Sequence, residues 1–154
     1  KPMGLAKTVL VKDQATDFYT IEGESTVHLG DIDVLLMRKD PPFDMEYIMD
    51  TYVLDYASSE STHVINKPQA LRDANEKFFT EAFPECTPEN VISRNPEILL
   101  PFIKEMGDVI VKPMDGMGGN SIFKTSGSDK NLPVILETVT QNGTKTTSRY
   151  HKKR

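Results

Sequence analysis

The amino-acid sequence predicts a mixed α/β fold, because segments with the pattern of strands alternate with segments whose apolar residues repeat at helical spacing. In the first half, short β-rich runs alternate with helical patterns. In the second half, two strand-like runs flank a glycine-rich loop, and a helical pattern follows them. The 154-residue chain is long enough for one domain with a core, or for two incomplete pieces of a larger protein.

The first half contains four runs with the composition of strands, at residues 8–12, 25–29, 33–37 and 62–66. Turns are expected at Glu22-Gly23 and Gly30-Asp31. Residues 33–37 are apolar almost throughout, which is typical of a strand buried on both faces. Pro41 and Pro42 then open a helix whose apolar residues recur at helical spacing, namely Met45, Ile48, Met49, Tyr52, Val53 and Tyr56.

A second helix is predicted over residues 68–83, beginning at Pro68, with one face formed by Leu71, Ala74, Phe78, Phe79 and Ala82. After Pro84, a short strand at 91–93 leads to Asn95 as N-cap of a third helix that ends at Gly107. Its buried stripe is predicted to consist of Ile98, Leu99, Phe102, Ile103 and Met106. The last helix has an apolar face made of Leu132, Ile135, Leu136 and Val139.

Composition excludes several classes of protein. The formal net charge is −5, with 18 basic and 23 acidic residues mixed along the chain, so no basic face indicates nucleic-acid binding. The single cysteine, Cys86, cannot form an internal disulfide and suits a reducing compartment. Because no apolar run approaches a membrane span and no signal-peptide pattern is present, a cytoplasmic protein without membrane contact is expected.

The glycine-rich loop follows Lys112 and contains Gly116, Gly118 and Gly119. Glycines allow backbone N–H groups to approach a phosphate, and lysine supplies a compact positive charge. A tight hairpin turn that merely needs glycine explains the same residues. The loop is neither a P-loop nor a dinucleotide fingerprint, because both motifs open a helix and a strand is predicted here.

Two further cations stand at positions where ligands can bind. Arg38 follows the apolar run at 33–37, and ligands of open α/β sheets gather at the carboxyl ends of strands; its fork suits a carboxylate or phosphate. Lys77 precedes Phe78 and borders a predicted core face. Taken alone, each is better explained as a solvated surface charge. The three histidines lack the spacing of metal ligands, and the sequence identifies no catalytic nucleophile.

Three blocks together resemble the bacterial-type glutathione synthetase family of the ATP-grasp superfamily. They read DVLLMRKDPPFDMEYI, VINKPQALRDANEKFFT and VIVKPMDGMGGNSIF, and they follow one another in the family's order and spacing. The resemblance covers roughly residues 31–144. It implies part of an amino-terminal α/β domain at 1–84, an α+β ATP-grasp lid domain with a glycine-rich hairpin at 85–145, and a truncated or discontinuous remainder at 146–154.

The resemblance also implies roles for individual residues. Lys112 and Lys77 are similar to two lysines that contact ATP, and the lid loop over ATP corresponds to Gly116, Met117, Gly118 and Gly119. Arg38 is similar to an arginine at the dipeptide-binding end. The implied reaction uses ATP and Mg²⁺ to phosphorylate γ-glutamylcysteine, after which glycine attacks the acyl phosphate to form glutathione. A homo-oligomer is expected.

The chain also departs from the family. Members begin with a further strand and continue into an adenine-binding hinge and magnesium-binding acidic residues, so we expect an incomplete chain with no metal ligands of its own. The first residue, Lys1, agrees with that expectation. Two alternatives stay open: another ATP-grasp ligase that joins a carboxylate to an amine, or a non-catalytic remnant that binds nucleotide or peptide.

Overall fold

The computed structural model describes residues 1–58 and 61–151, and the side chains of residues 149–151 are not described. The chain divides into two compact units. The first consists of Lys1–Lys39 and Glu46–Asp73, and the second of Asp40–Met45 and Ala74–Arg154. The predicted mixture of helices and strands is confirmed.

An antiparallel hairpin opens the first unit, formed by β1 (Met3–Val11) and β2 (Tyr19–His28). The predicted turn at Glu22-Gly23 is wrong, because both residues lie within β2. Gly23 has a φ of +48° and is the extra residue of a bulge, since Lys7 pairs with Glu24 and Thr8 with Glu22. A glycine in a strand therefore marks an irregularity of the ladder here.

A parallel pair of short strands and two helices complete the first unit. The strands are β3 (Val34–Leu36) and β4 (His63–Ile65), joined by α1 (Met45–Ser58). The prediction that β3 is buried on both faces is wrong, since Val34 is 51% exposed. Among the described residues β3 pairs with one strand only, so its sheet is too narrow to be covered fully.

The helical apolar spacing of α1 marks the wrong side of the helix. Met45, Met49 and Tyr56 are exposed, whereas its buried residues are Thr51, Leu54 and Ala57. One leucine and two smaller residues thus face the protein, and most of the large apolar residues face outward. Apolar periodicity located the helix but misjudged which side is covered.

The predicted helix at 68–83 is much shorter than expected. Helix α2 covers Pro68–Asp73, and the residues after it form turns that include a 3₁₀ segment at Phe79–Ala82. Asn75 explains the break, because its side-chain oxygen accepts hydrogen bonds from the backbone N–H groups of Lys77 and Phe78 at 3.1 and 3.0 Å. Phe78 and Phe79 are consequently exposed, not aligned on a core face.

The second unit contains an antiparallel four-stranded sheet and two helices. The strands are β5 (Asn90–Ser93), β6 (Val109–Pro113), β7 (Phe123–Thr125) and β8 (Thr147–His151), in the order β5-β8-β6-β7. Helices α3 (Pro96–Met106) and α4 (Leu132–Thr140) pack on one face. The core cluster consists of Ile103, Val109, Val111, Leu132, Leu136 and Val139.

Most predictions for the second unit are confirmed. Asn95 caps α3 by accepting a hydrogen bond from the Glu97 N–H at 2.9 Å, and Gly107 ends the helix with a φ of +76°. All four predicted apolar residues of α4 are buried. In α3, Leu99 and Ile103 are fully buried, but Ile98 is 52% exposed and does not belong to the buried stripe.

Contacts divide the chain between Asp73 and Ala74, whereas the sequence predicted a boundary after residue 84. The turns at 74–86 join the second unit because Lys77 bonds to the glycine-rich loop. Of the predicted remainder at 146–154, residues 147–151 form β8 between β5 and β6, and 152–154 lie outside the described residues. The three-part domain division stays a prediction.

Within the described ranges, no helix combines the length and the apolar character that crossing a membrane requires.

Candidate functional site

Strand alternation places Lys112 on the open face of the second unit's sheet. Val109 and Val111 are fully buried in the core, so Ile110 and Lys112 point to the opposite face. The Lys112 backbone is held in the sheet, since its carbonyl oxygen accepts a hydrogen bond from the Thr147 hydroxyl at 2.5 Å. The Lys112 side chain is half-buried and stands beside the start of the glycine-rich loop.

The glycine loop, residues 114–122, connects the antiparallel strands β6 and β7. Gly118 and Gly119 adopt φ values of +67° and +79°, which strain any residue with a Cβ. No atom lies within 4 Å of where a Cβ would stand at either glycine, so conformation and not space favours glycine there. Gly116 differs, because an added Cβ would stand 3.2 Å from Pro113 Cγ.

Lys77 reaches the glycine loop from the turn after α2. Its side chain is 16% exposed, and its Nζ donates a hydrogen bond to the backbone oxygen of Gly116. Glu76 lies 3.3 Å from the same Nζ. The turn stabilised by Asn75 orients this lysine, so the long helix predicted from sequence would have misplaced it. The sequence feature that indicates this turn is Asn75, because asparagine side chains compete for the backbone N–H groups of the next residues.

Lys77, Lys112 and the glycine loop line one small pocket that is partly open to solvent. It is far smaller than the sites of drug-sized ligands, which occupy about 300–1,000 Å³. Five of the predicted nucleotide-contacting residues line it, namely Lys77, Lys112, Gly116, Met117 and Gly119. Gly118 is not among its lining residues, and sequence reasoning missed Pro113, Asn120 and Ile122.

The polar groups around the pocket favour an anion. Two lysines and several residues of the glycine loop line it, and none of its lining residues is acidic. The Lys77 ammonium is also bonded to the Gly116 carbonyl and lies 3.3 Å from Glu76. Positive charges and flexible backbone N–H groups are the usual partners of phosphate in proteins. The phosphate interpretation of the loop and that of a hairpin turn are both compatible with this arrangement.

Arg38 belongs to the first unit, at the carboxyl end of its parallel strands. Leu36 pairs with Ile65, and the Met37 N–H donates to the Ile65 carbonyl at 2.9 Å, so β3 and β4 end side by side. Arg38 is exposed, whereas its neighbour Lys39 forms an ion pair with Asp50. No acidic side chain of the described residues pairs with the Arg38 guanidinium.

The described side chains were also compared with the requirements of a metal site. Across residues 1–58 and 61–151, no group of three or more His, Cys, Asp or Glu side chains could hold a metal ion.

Solved structures share the fold of this chain. A RiPP-associated ATP-grasp ligase from Chryseobacterium gregarium, in complex with ADP and a leader and core peptide, aligns with 98% of this chain and 51% of its own, at a TM-score of 0.52 and 15% identity. The ATP-grasp ligase PsnB, complexed with a phosphomimetic precursor variant, Mg and ADP, aligns with 96% of this chain and 53% of its own, at 0.51 and 17%. The chain has the ATP-grasp fold.

Sequence comparison then gives the family. Residues 1–72 match the N-terminal domain of prokaryotic glutathione synthetase, and residues 76–150 match its ATP-grasp domain. The chain belongs to the prokaryotic glutathione synthetase family.

Individual relatives agree with this assignment. The glutathione synthetase of Pseudomonas syringae is 55% identical over 127 residues, which are 82% of this chain and 40% of that protein. The Vibrio vulnificus and Escherichia coli proteins are 49% and 48% identical over 89% and 90% of this chain. The chain spans about two-fifths of the length of these relatives.

Proposed function

We propose that this protein acts as an ATP-dependent ligase that joins γ-glutamylcysteine to glycine and releases glutathione, ADP and phosphate. The observation that carries the proposal is the pocket in which Lys77, Lys112 and the glycine loop converge, in a chain of the glutathione synthetase family. The relatives' name supports the choice of substrates.

The proposed reaction has two steps. A carboxylate oxygen of the cysteine residue attacks the γ-phosphorus of ATP, the bond to the β-phosphate oxygen breaks, and ADP leaves. The glycine amine then attacks the acyl carbon, the bond from carbon to the bridging oxygen breaks, and inorganic phosphate leaves. Such a phosphoryl transfer needs positioning and charge stabilisation more than covalent help from the protein.

The lysines supply that stabilisation in our proposal. Lys112 lies on a strand of the core sheet, so its backbone is fixed, and it is one of the residues that line the pocket. Lys77 meets the same pocket from the turn after α2 and bonds to the glycine loop. A loop with Gly118 and Gly119 at positive φ can fold over a phosphate with its N–H groups inward. Met117 is 44% exposed, and we propose that its side chain covers the bound phosphate.

Arg38 is proposed to bind a carboxylate of γ-glutamylcysteine. It stands at the carboxyl end of a parallel pair, where α/β proteins place ligands, and its guanidinium can hold a carboxylate with two hydrogen bonds. Magnesium is proposed as the ion bound to ATP, and no step is assigned to a metal ligand of this chain. We also propose that the protein is cytoplasmic and forms a homo-oligomer. The exposed apolar side chains of Val9, Val11 and Ile21 on the hairpin support self-association.

Substrate omission tests the function. The full-length protein is incubated with MgATP, γ-glutamylcysteine and glycine, each being left out in turn, and ADP and glutathione are quantified. Equal amounts of ADP and glutathione, formed only with all three substrates, are expected. ADP formation with a different acid or amine but not with these would favour another ATP-grasp ligase, and ATP binding without any turnover would favour a non-catalytic protein.

A further inference from the structure

The base of the glycine loop is held by contacts that its tip lacks. The side chain of Asp115 forms an ion pair with Lys145, with 2.5 Å between Oδ2 and Nζ. The backbone oxygen of Asp115 accepts a hydrogen bond from the Phe43 N–H at 3.1 Å. Lys77 bonds to the next carbonyl, that of Gly116. Three segments distant in sequence therefore meet at two consecutive loop residues.

The tip of the loop, residues 117–122, is held far less. Its one internal backbone hydrogen bond among those described runs from the Asn120 N–H to the Met117 carbonyl at 3.4 Å, a long distance for such a bond. Met117 and Ile122 are both more than two-fifths exposed. The change from held to weakly held backbone thus falls between Gly116 and Met117.

Lys145 is itself well placed to hold the loop. Its backbone N–H donates to the Thr140 carbonyl at 2.7 Å, which fixes it to the end of the buried helix α4. Two residues later the chain enters β8 in the middle of the sheet. The ammonium therefore extends from a rigid part of the unit. Asp115 is the more buried partner, with 27% of its side chain exposed against 46% for Lys145.

We propose that Asp115 and Lys145 are positioning residues of the nucleotide site. Their ion pair fixes the base of the glycine loop, so that only the tip moves, and the loop closes over the pocket from a constant hinge between Gly116 and Met117. Neither side chain lines the pocket, so the pair acts through the loop and not on the nucleotide. The effect on nucleotide turnover rests on the proposed function, whereas the effect on the loop does not.

Amide hydrogen exchange without nucleotide tests the anchor directly. The Phe43 amide reports on it because its N–H bonds to the Asp115 carbonyl. In Lys145→Met, its exchange should accelerate roughly two- to fivefold, the effect typical of a partly exposed ion pair. Asp115→Asn should give the same increase, and the double variant no more than either, because both changes break one interaction. Lys145→Arg should restore slow exchange.

The matched control is Lys124→Met, which removes another surface ion pair of the second unit, that of Lys124 with Asp108 at 2.8 Å. It should leave Phe43 exchange unchanged. The melting temperature of each variant shows whether it is still folded. If Lys145→Met is unfolded, the exchange rate of the Phe43 amide in Lys145→Arg still tests the ion pair.

Kinetics separate this inference from the proposed function. Lys145→Met should raise the KM for MgATP roughly two- to fivefold, with the KM for γ-glutamylcysteine unchanged. Phe43 exchange that responds to Lys145→Met no more than to Lys124→Met would overturn the anchor, whatever the activity. Accelerated exchange in a protein that neither binds nor turns over ATP would uphold the anchor and refute the proposed function.

Discussion

The position of Lys112 on its strand determines which face of the sheet its side chain lies on. Two neighbours on the same strand, Val109 and Val111, are fully buried, which forces the lysine to the open face beside the glycine loop. Lys112→Ala should lower kcat/KM for ATP about ten- to hundredfold, since a charge-assisted hydrogen bond is worth about 1.5–3 kcal/mol. Steady-state kinetics with ATP varied would measure it.

Two comparison variants sharpen this prediction. Lys112→Arg should recover little activity, because a planar fork cannot replace a compact ammonium. Lys124→Ala removes a lysine from the neighbouring strand that pairs with Asp108, and it should behave like the wild type. Wild-type kcat/KM for ATP in Lys112→Ala would reduce Lys112 to a surface charge.

Arg38 is an exposed residue whose role depends on the end of the sheet it occupies. Arg38→Lys keeps the charge but removes the fork, so the KM for γ-glutamylcysteine should rise about ten- to hundredfold while that for ATP changes little. The adjacent Lys39, ion-paired with Asp50, offers the control Lys39→Met. A change of both KM values by the same factor, or of neither, would argue that Arg38 is solvated only.

Helix α3 was predicted closely because its signals are local. Asn95, Pro96 and Gly107 specify its ends in the sequence, and the structure uses all three. Asn95→Ala should destabilise the protein by about 1 kcal/mol by removing the cap of the Glu97 N–H. Urea unfolding would measure this loss of stability. The comparison variant Asn95→Asp should keep most of the stability, because aspartate can also accept the hydrogen bond. Equal stability of the alanine and aspartate variants would disprove the cap.

The glycine loop should exchange its amides rapidly without nucleotide. Residues 117–121 have few hydrogen bonds in the structure, and a loop that covers a substrate must open for release. Adding a non-hydrolysable ATP analogue with Mg²⁺ should slow their exchange about tenfold or more, measured by mass spectrometry. Identical exchange with and without the analogue would identify the loop as a structural hairpin.

Failures of prediction at the level of elements have a common cause. The expected helix at 68–83 stops because the Asn75 side chain competes for backbone N–H groups, a choice that apolar spacing does not reveal. The outward-facing Met49 and Tyr52 of α1 show that spacing finds a helix without showing which side is covered. Which side of a helix is buried depends on the elements packed against it, and a narrow sheet packs against only part of a helix.

For the whole molecule, the sequence predicted the fold class and the family, because long motifs and alternation are visible in one dimension. It also predicted most residues of the pocket, since Lys112 and the glycines lie within one block. The hydrogen bond from Lys77 to Gly116 is a tertiary contact across 39 positions. The resemblance implied that both residues contact ATP, but it did not predict this bond. The ion pair of Asp115 with Lys145 had no counterpart in the sequence interpretation, because surface pairing depends on side-chain placement.

Isotope transfer tests the central claim, formation of an acyl phosphate, most directly. γ-Glutamylcysteine labelled with ¹⁸O in both oxygens of the cysteine carboxylate is converted with MgATP and glycine, and the phosphate is analysed by mass spectrometry. Because the bridging oxygen leaves with the phosphoryl group, each phosphate molecule released with glutathione should carry a single ¹⁸O. Unlabelled phosphate released with glutathione that carries one ¹⁸O, the second label appearing in water or in AMP instead, would contradict the account.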